Sequence, residues 1–117
     1  YFSHLEAMNY TAGKHYTFNK IEKKMTFSNG SEILFKGVDN PEKIKSLNLH
    51  WAEIEEASQI SDSAFKQLIG RLRNTNIKPS WENFRYRLFG HTNPQANKGW
   101  IYKRFAANKK ENYRLFY

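Results

Sequence analysis

The sequence predicts an α/β domain built on a parallel sheet, with a β-hairpin before it. Two stretches that read as strands, at about 47–54 and 84–91, flank an amphipathic helical stretch at about 61–73. A strand, a helix and a strand joined by short loops form a right-handed βαβ unit, in which the two strands run parallel. Alternating apolar residues around Asn29-Gly30 predict the hairpin, at about 23–36.

The hairpin is expected to bury one face, and both of its turn residues, Asn29 and Gly30, are expected to have positive φ. The residues of the buried face are Met25, Phe27, Ile33 and Phe35. After the hairpin, Asn40 is expected to cap a short helix that begins at Pro41 and ends at about Ser46.

The first predicted strand of the βαβ unit alternates imperfectly. Its two faces would carry Leu47, Leu49 and Trp51 on one side and His50, Ala52 and Ile54 on the other. Glu53 interrupts the second run, and by the period of two it points the same way as Glu55. Either the Glu53 side chain faces the same crevice as the Glu55 side chain, or the register of this strand differs from the alternation given above.

Two helical stretches follow the first strand. Ser61 or Ser63 is expected to cap the first helix, and Arg71 and Arg73 at its end suit the helix dipole. Its apolar residues recur at i, i+3, i+4 and i+7, namely Phe65, Leu68, Ile69 and Leu72. A second helix is expected at about 98–109, with Ile101, Tyr102 and Phe105 inward and Lys98, Lys103 and Arg104 outward. Its aromatic residues are interpreted as core rather than as a platform for nucleic-acid bases.

Polar residues follow both predicted strands. Glu55 and Glu56 end the first, and Thr92 and Asn93 end the second. Because ligands of parallel sheets bind beyond the carboxyl ends of the strands, all four residues are expected to open onto one crevice. A carboxylate there can hold a water of a Mg²⁺ shell, and a second carboxylate can orient an attacking water.

The positive charge is concentrated in the last part of the chain. Residues 71–117 carry eleven Lys and Arg against two Asp and Glu, with ten aromatic residues among them, within an overall net charge of +8. Basic residues interleaved with aromatic residues are typical of nucleic-acid binding, in which the former contact phosphates and the latter stack on bases. A solvated surface over an aromatic core explains the composition equally well. The candidate nucleic-acid contacts are Arg71, Arg73, Arg85, Arg87, Lys103 and Arg104.

Several classes of protein are disfavoured. The chain contains no cysteine, no apolar run near 18 residues and no signal-peptide pattern, so it is not expected to be secreted, to cross a membrane or to form disulfides. Its four histidines are scattered without the spacing of metal ligands. The AGKH sequence at 12–15 is not a phosphate-binding loop, because it lacks the earlier glycine and the Ser or Thr after the lysine.

Five segments follow one another between about 23 and 105: NGSEILFKG, VDNPEKIKS, EIEEASQISDSAFKQLIGRLR, a strand ending in TNP, and GWIYKRF. As a set they resemble the ATPase domain of bacteriophage terminase large subunits. The resemblance implies a P-loop NTPase core of the ASCE type. The chain would then comprise the hairpin at 23–36, the Walker B strand and helix at 47–73, the coupling-motif strand at 84–93 and a basic helix at 98–109.

The resemblance also implies roles for particular residues. Glu55 would be the Walker B acid that holds Mg²⁺ through water, and Glu56 the catalytic base. Thr92 and Asn93 would form the coupling motif that senses the γ-phosphate. The implied cofactors are ATP and Mg²⁺, and the implied function is Mg²⁺-dependent ATP hydrolysis that packages viral DNA into a procapsid.

The implied partners are double-stranded DNA, the terminase small subunit, the portal protein and further copies of the chain in a ring, without a membrane. Lys43 and Lys45 would then lie where such motors present a cation to a neighbour's nucleotide, although lysine lacks the bidentate fork of arginine. The implied location is the cytoplasm of an infected or lysogenic bacterial host.

No phosphate-binding loop and no second acidic cluster of a nuclease occur in these 117 residues. The chain is therefore expected to be an internal fragment, with the loop upstream of Tyr1 and the nuclease downstream of Tyr117, and not to hydrolyse ATP alone. Two alternatives stay open at this point. One is a small basic module that binds nucleic acid without catalysis, and the other is an inert prophage remnant.

Overall fold

The computed structural model describes residues 2–38, 40, 42–76, 83–93, 99–108 and 110–114. The chain divides into two compact units, Tyr1–Gly37 and Val38–Tyr117. Both helices and strands occur, so the α/β class is confirmed. No helix among the described residues is long and apolar enough to cross a membrane.

The first unit is a three-stranded antiparallel sheet with one helix. Its strands lie in the order β1 (Tyr16–Asn19), β2 (Lys24–Phe27) and β3 (Glu32–Leu34). Met25 pairs with both Phe18 and Ile33. The β2–β3 hairpin and its buried face are confirmed, whereas β1 was not predicted. The core consists of Leu5, Tyr16 and Met25, with Phe18, Phe27, Ile33 and Phe35 packed against it. The elements are α1 Phe2–Ala7, β1 Tyr16–Asn19, β2 Lys24–Phe27 and β3 Glu32–Leu34.

The turn of the β2–β3 hairpin differs from the one predicted. Gly30 has a φ of 84°, but Asn29 does not have a positive φ. The Gly30 N–H donates to the Phe27 carbonyl at 2.9 Å, and the Phe27 N–H donates to the Ser31 carbonyl at 2.8 Å. The loop therefore has three residues and ends in a left-handed glycine, which forms a bulge. The side chain of Asn29 instead accepts from the Ser31 N–H at 2.9 Å.

The second unit contains the predicted parallel pair. Strands β4 (Trp51–Ile54) and β5 (Arg87–Gly90) are parallel. Their register sets Ala52 beside Leu88 and Ile54 beside Gly90. Both strands are shorter than predicted. The elements are α2 Glu42–Lys45, β4 Trp51–Ile54, a 3₁₀ turn Ala57–Gln59, α3 Asp62–Arg71, β5 Arg87–Gly90 and a π-helical segment Tyr102–Ala107.

The helix starts follow the predicted caps. Asn40 Oδ1 accepts from the Glu42 N–H at 2.9 Å, at the start of α2. Ser61 Oγ accepts from the Ala64 N–H at 3.1 Å, so Ser61 is the cap of α3. Pro41 lies outside the described residues.

The buried stripe of helix α3 is shifted from the one predicted. Ala64, Phe65 and Leu68 are buried, but Ile69 is 38% exposed. Successive helix residues are about 100° apart, so Ile69 lies on the side of Phe65 away from Leu68. It therefore stands at the margin of the buried stripe.

The core of the second unit gathers residues from every element. Leu47 and Leu49 pack against the same cluster as Ala52, so the prediction of two opposed faces is wrong. The reason is that strand β4 begins only at Trp51, and the alternation of a strand does not extend to residues 47–50. The buried cluster is Ile44, Ile54, Ala57, Phe65 and Leu68.

The last helix departs most from prediction. The Asn108 N–H donates to the Lys103 carbonyl, five residues back, so the period of 3.6 no longer fixes the faces. Trp100, Ile101 and Phe105 pack on the core, as predicted. Tyr102 is 40% exposed, and the prediction that it points inward is wrong. Lys98 lies outside the described residues.

Arg104 is also placed differently from the prediction, which had it pointing outward. Its side chain is 20% exposed, and its guanidinium donates two hydrogen bonds to Asp62, the first residue of α3. It also lies 5.4 Å from the centre of the Phe65 ring, a cation–π contact. Trp100 Nε1 adds a hydrogen bond to the Ile60 carbonyl at 2.8 Å. These contacts hold the last helix against the start of α3.

This ion pair predicts a pH dependence of stability. The hydrogen bonds from Arg104, supported by those from Lys66, lower the pKa of Asp62 from 3.8 to about 2. A carboxylate whose pKa is depressed by folding stabilises the fold above its unfolded pKa, and this contribution is lost as the pH falls towards 2. We expect the free energy of unfolding, measured with urea on the full-length gene product, to fall between pH 4 and about 2. The fall should be smaller in Asp62→Asn than in the wild type. Parallel pH profiles for the two proteins would contradict this.

Two glycines provide a matched test of packing. A Cβ on Gly90 would lie 3.3 Å from the Ala57 Cβ, whereas a Cβ on Gly70, inside α3, would meet nothing within 4 Å. We expect Gly90→Val to lower the free energy of unfolding by about 1–3 kcal/mol. Gly70→Ala should raise it by about 0.5–1 kcal/mol, because alanine favours the helix. Hydrogen exchange of the β4 and α3 amides measures both changes, and equal effects would refute the close contact at Gly90.

Candidate functional site

The two pairs of candidate residues leave the parallel sheet at the same edge. Glu55 follows the last residue of β4, and His91 and Thr92 follow the last residue of β5. These last residues, Ile54 and Gly90, are partners in the ladder. The predicted placement of both segments beyond the carboxyl ends of neighbouring strands is therefore confirmed.

Backbone hydrogen bonds continue past the ends of the strands. The His91 N–H donates to the Ile54 carbonyl at 3.1 Å, and the Ala57 N–H donates to the His91 carbonyl at 3.0 Å. A Cβ on Gly90 would lie 3.3 Å from the Ala57 Cβ, so the two segments approach each other closely at this point. The segment after β4 and the segment after β5 thus form one joined structure.

Glu56 has a left-handed backbone, with φ 48° and ψ 54°. This conformation costs a residue other than glycine about 1 kcal/mol, and such residues are concentrated at functional sites. It turns the chain sharply after Glu55, so that Ala57 enters the core while Glu55 and Glu56 are both exposed. Neither carboxylate has a hydrogen-bond or ion-pair partner among the described residues, and both are accessible to an external ligand.

A side-chain hydrogen bond joins the two segments. Thr92 Oγ1 donates to Ser58 Oγ at 2.8 Å, and both residues are half-buried. Asn93 is exposed. Ser58 was not predicted as a site residue from the sequence. The sequence pattern that could have indicated it is a hydroxyl-bearing residue shortly after each of the two strands, Ser58 after β4 and Thr92 after β5.

Glu53 lies within β4, beside Phe89 of β5. It is exposed, and its Oε1 lies 3.6 Å from His91 Nε2. Its carboxylate is therefore near the segment that leads to Thr92. Glu53 interrupts the apolar run of the strand without becoming buried.

Lys43 and Lys45, the candidate cations for a neighbouring nucleotide, are both exposed on α2. The Lys45 Nζ forms an ion pair with Glu42, three residues earlier. The trans role of these two lysines stays a prediction.

The six candidate nucleic-acid contacts fall into two groups. Arg71, Arg73 and Arg104 are hydrogen-bonded within the chain, to the Lys45 carbonyl, to Asn48 Oδ1 and to Asp62 respectively. Arg85, Arg87 and Lys103 are exposed, although Arg85 also donates to the carbonyl of its neighbour Phe84. Four of the six residues thus form hydrogen bonds within the chain, and nucleic-acid binding by any of the six stays a prediction.

Comparison with known proteins identifies the family. The family model for the phage terminase large subunit matches residues 2–116. The chain is also similar to the PBSX phage terminase large subunit of Bacillus subtilis (strain 168), with 38% identity over 89 residues, which are 75% of this chain and 19% of that protein. The chain spans about a fifth of the length of this relative. Its acidic strand end and its matched residues lead to one conclusion, that the chain belongs to the phage terminase large subunit family.

Proposed function

We propose that this chain forms part of the ATPase motor that packages phage DNA into a procapsid, within a P-loop NTPase core. Family membership itself indicates a role in phage DNA packaging. The observation that carries the proposal of ATP hydrolysis is the pair of exposed carboxylates, Glu55 and Glu56, at the carboxyl end of a parallel strand. Nucleotide hydrolases place a metal-binding acid and a water-orienting acid in this position.

The residues fit a Mg²⁺ ion held mainly by ligands other than protein. Within the described residues no three His, Asp or Glu side chains are grouped around one metal position. Mg²⁺ keeps several waters and is commonly bound by one or two carboxylates and by substrate phosphates. Glu55 would hold the ion through water. Bound Mg²⁺ would neutralise charge on the phosphates.

Glu56 would act as the base that orients and polarises the attacking water. Its exposed carboxylate can accept a hydrogen bond from a water. The left-handed backbone of Glu56 sets the direction in which its side chain leaves the chain. Thr92 and Asn93 would sense the γ-phosphate from the neighbouring strand end. The amides and the lysine of a phosphate-binding loop would come from another part of the gene product, because the 117 residues contain no such motif.

The remaining proposals concern partners. The net charge of +8 favours binding to double-stranded DNA, and the motor would also contact the small subunit, the portal protein and other copies in a ring. In such a ring Lys43 or Lys45 could face a neighbour's nucleotide. The motor would act in the cytoplasm of the infected or lysogenic host.

A second candidate function is a basic module that binds nucleic acid without hydrolysis. The observation that favours it is the exposure of Arg73, Arg85, Arg87 and Lys103 in the most basic part of the chain. Such a module would not need carboxylates beside a nucleotide. The acid pair therefore discriminates between the two functions.

The proposal predicts the effect of Glu56→Gln in the full-length gene product. Glutamine keeps the size of the side chain but cannot accept a proton, so ATP turnover should fall by at least about 100-fold. ATP binding should be retained, because Glu56 is not assigned to the phosphates or the metal. Steady-state turnover and equilibrium binding of radiolabelled ATP measure the two effects.

Glu22→Gln is the matched control, since Glu22 is an exposed carboxylate of the other unit, paired with Lys24. It should leave ATP turnover unchanged. If Glu56→Gln kept more than a few per cent of turnover, the assignment of the base would be wrong. Retained DNA binding without any ATPase activity in the wild type would favour the second candidate function.

A further inference from the structure

Ser58 and Thr92 make a contact that no catalytic role yet uses. The distance between their hydroxyl oxygens is 2.8 Å, and Thr92 is the donor. Both side chains are half-buried, whereas Glu55, Glu56 and Asn93 around them are exposed. The hydroxyl pair is thus less exposed than the residues that are assigned to the nucleotide.

This contact extends a series of backbone hydrogen bonds. The Ile54 carbonyl accepts from His91, and the His91 carbonyl accepts from Ala57. The next residue on each segment is Thr92 on one side and Ser58 on the other. Among the described residues, the hydroxyl pair is therefore the last hydrogen bond between the two segments in the direction of the chain.

Ser58 is also tied to the backbone of Glu56. Ser58 is the middle residue of the 3₁₀ turn Ala57–Gln59. The Gln59 N–H donates to the Glu56 carbonyl at 2.8 Å, which closes this turn over Ser58. A displacement of Ser58 would therefore be transmitted to the residue whose carboxylate orients water.

We infer that Ser58 is a positioning residue that couples the Thr92–Asn93 segment to the turn bearing Glu56, through the hydrogen bond between the Ser58 and Thr92 hydroxyls. This inference rests on the proposed function. Movement of Thr92 when the segment meets the γ-phosphate shifts the turn after β4 and with it the Glu56 carboxylate. Loss of the Ser58 hydroxyl breaks the link and leaves Glu55 and the phosphate contacts of Thr92 and Asn93 in place.

The chemistry of the pair determines how variants should behave. A hydroxyl supplies one donor and two acceptor positions, and a half-buried hydroxyl that loses its partner is left poorly satisfied. Removing Ser58 Oγ or Thr92 Oγ1 therefore abolishes the same interaction. Two variants that remove one interaction are not additive when they are combined.

The test uses the full-length gene product and four variants: Ser58→Ala, Ser58→Thr, Thr92→Val and the double variant Ser58→Ala/Thr92→Val. Turnover is expressed per ATP-binding site, counted by equilibrium binding, so that misfolded protein does not contribute. Ser58→Ala should lower kcat for ATP about tenfold, with KM within about twofold of the wild type. Thr92→Val, which also removes a hydroxyl assigned to the γ-phosphate, should lower kcat at least as much. Ser58→Thr, which keeps the hydroxyl, should recover most of the rate.

The double variant should be no slower than the slower single variant. Ser63→Ala is the matched control, because Ser63 is an exposed serine of α3 with no hydrogen bond among the described side chains. It should keep the wild-type kcat. Unchanged kcat in Ser58→Ala, or a double variant whose loss is the product of the two single losses, would overturn the inference.

Failure of the inference can be told apart from failure of the proposed function. If Glu56→Gln abolishes turnover while Ser58→Ala does not change kcat, the motor assignment stands and the coupling through Ser58 is wrong. If Glu56→Gln keeps its turnover, the assignment of the base is wrong, and the inference fails with it. Absence of ATPase activity in the wild type would refute the proposed function itself. A purely structural role for Ser58 would lower the number of ATP-binding sites but not the turnover per site.

Discussion

The close approach of Gly90 to Ala57 is the constraint on which the rest of the second unit depends. It lets the ends of two parallel strands lie against one turn, with the Ile54 and His91 carbonyls accepting hydrogen bonds across the junction. Small residues are required there because a Cβ on Gly90 would already lie 3.3 Å from the Ala57 Cβ. With the strand ladder and these hydrogen bonds, the acid pair and the Thr92–Asn93 segment lie at one edge of the sheet.

A second set of contacts, made by α3 and the last helix, supports this junction from the core of the second unit. Phe65 of α3 belongs to the same core cluster as Ala57, and the centres of the Trp100 and Phe65 rings are 4.8 Å apart. Asp62 and Arg104 hold the last helix at the amino end of the same α3. The turn after β4 is thus backed by a helix whose position is fixed at its start. Rigid support of this kind is what a site needs if small displacements are to carry a signal.

The sequence predicted the parts of the fold that depend on local patterns. Ser61 and Asn40 were recognised as caps because capping needs only a polar side chain before a helix, and the parallel pair followed from short loops. The position of Arg104 could not be read in this way, because a π-helical turn and a partner 42 residues away determine it. The same holds for Ile69 and Leu47, whose burial depends on where neighbouring elements end. The acid pair was found from its position after a strand, but the left-handed Glu56 and the bond from Thr92 to Ser58 are tertiary features.

The backbone of Glu56 has a consequence for how this position tolerates change. Glycine, asparagine and aspartate occupy the left-handed region at lower cost than glutamate does. Selection for stability alone would therefore favour those residues at position 56, whereas the proposed chemistry requires a carboxylate with the reach of glutamate. Stability and turnover would select different residues at this one site. A glutamate kept there despite the cost of its conformation would be the mark of selection for activity.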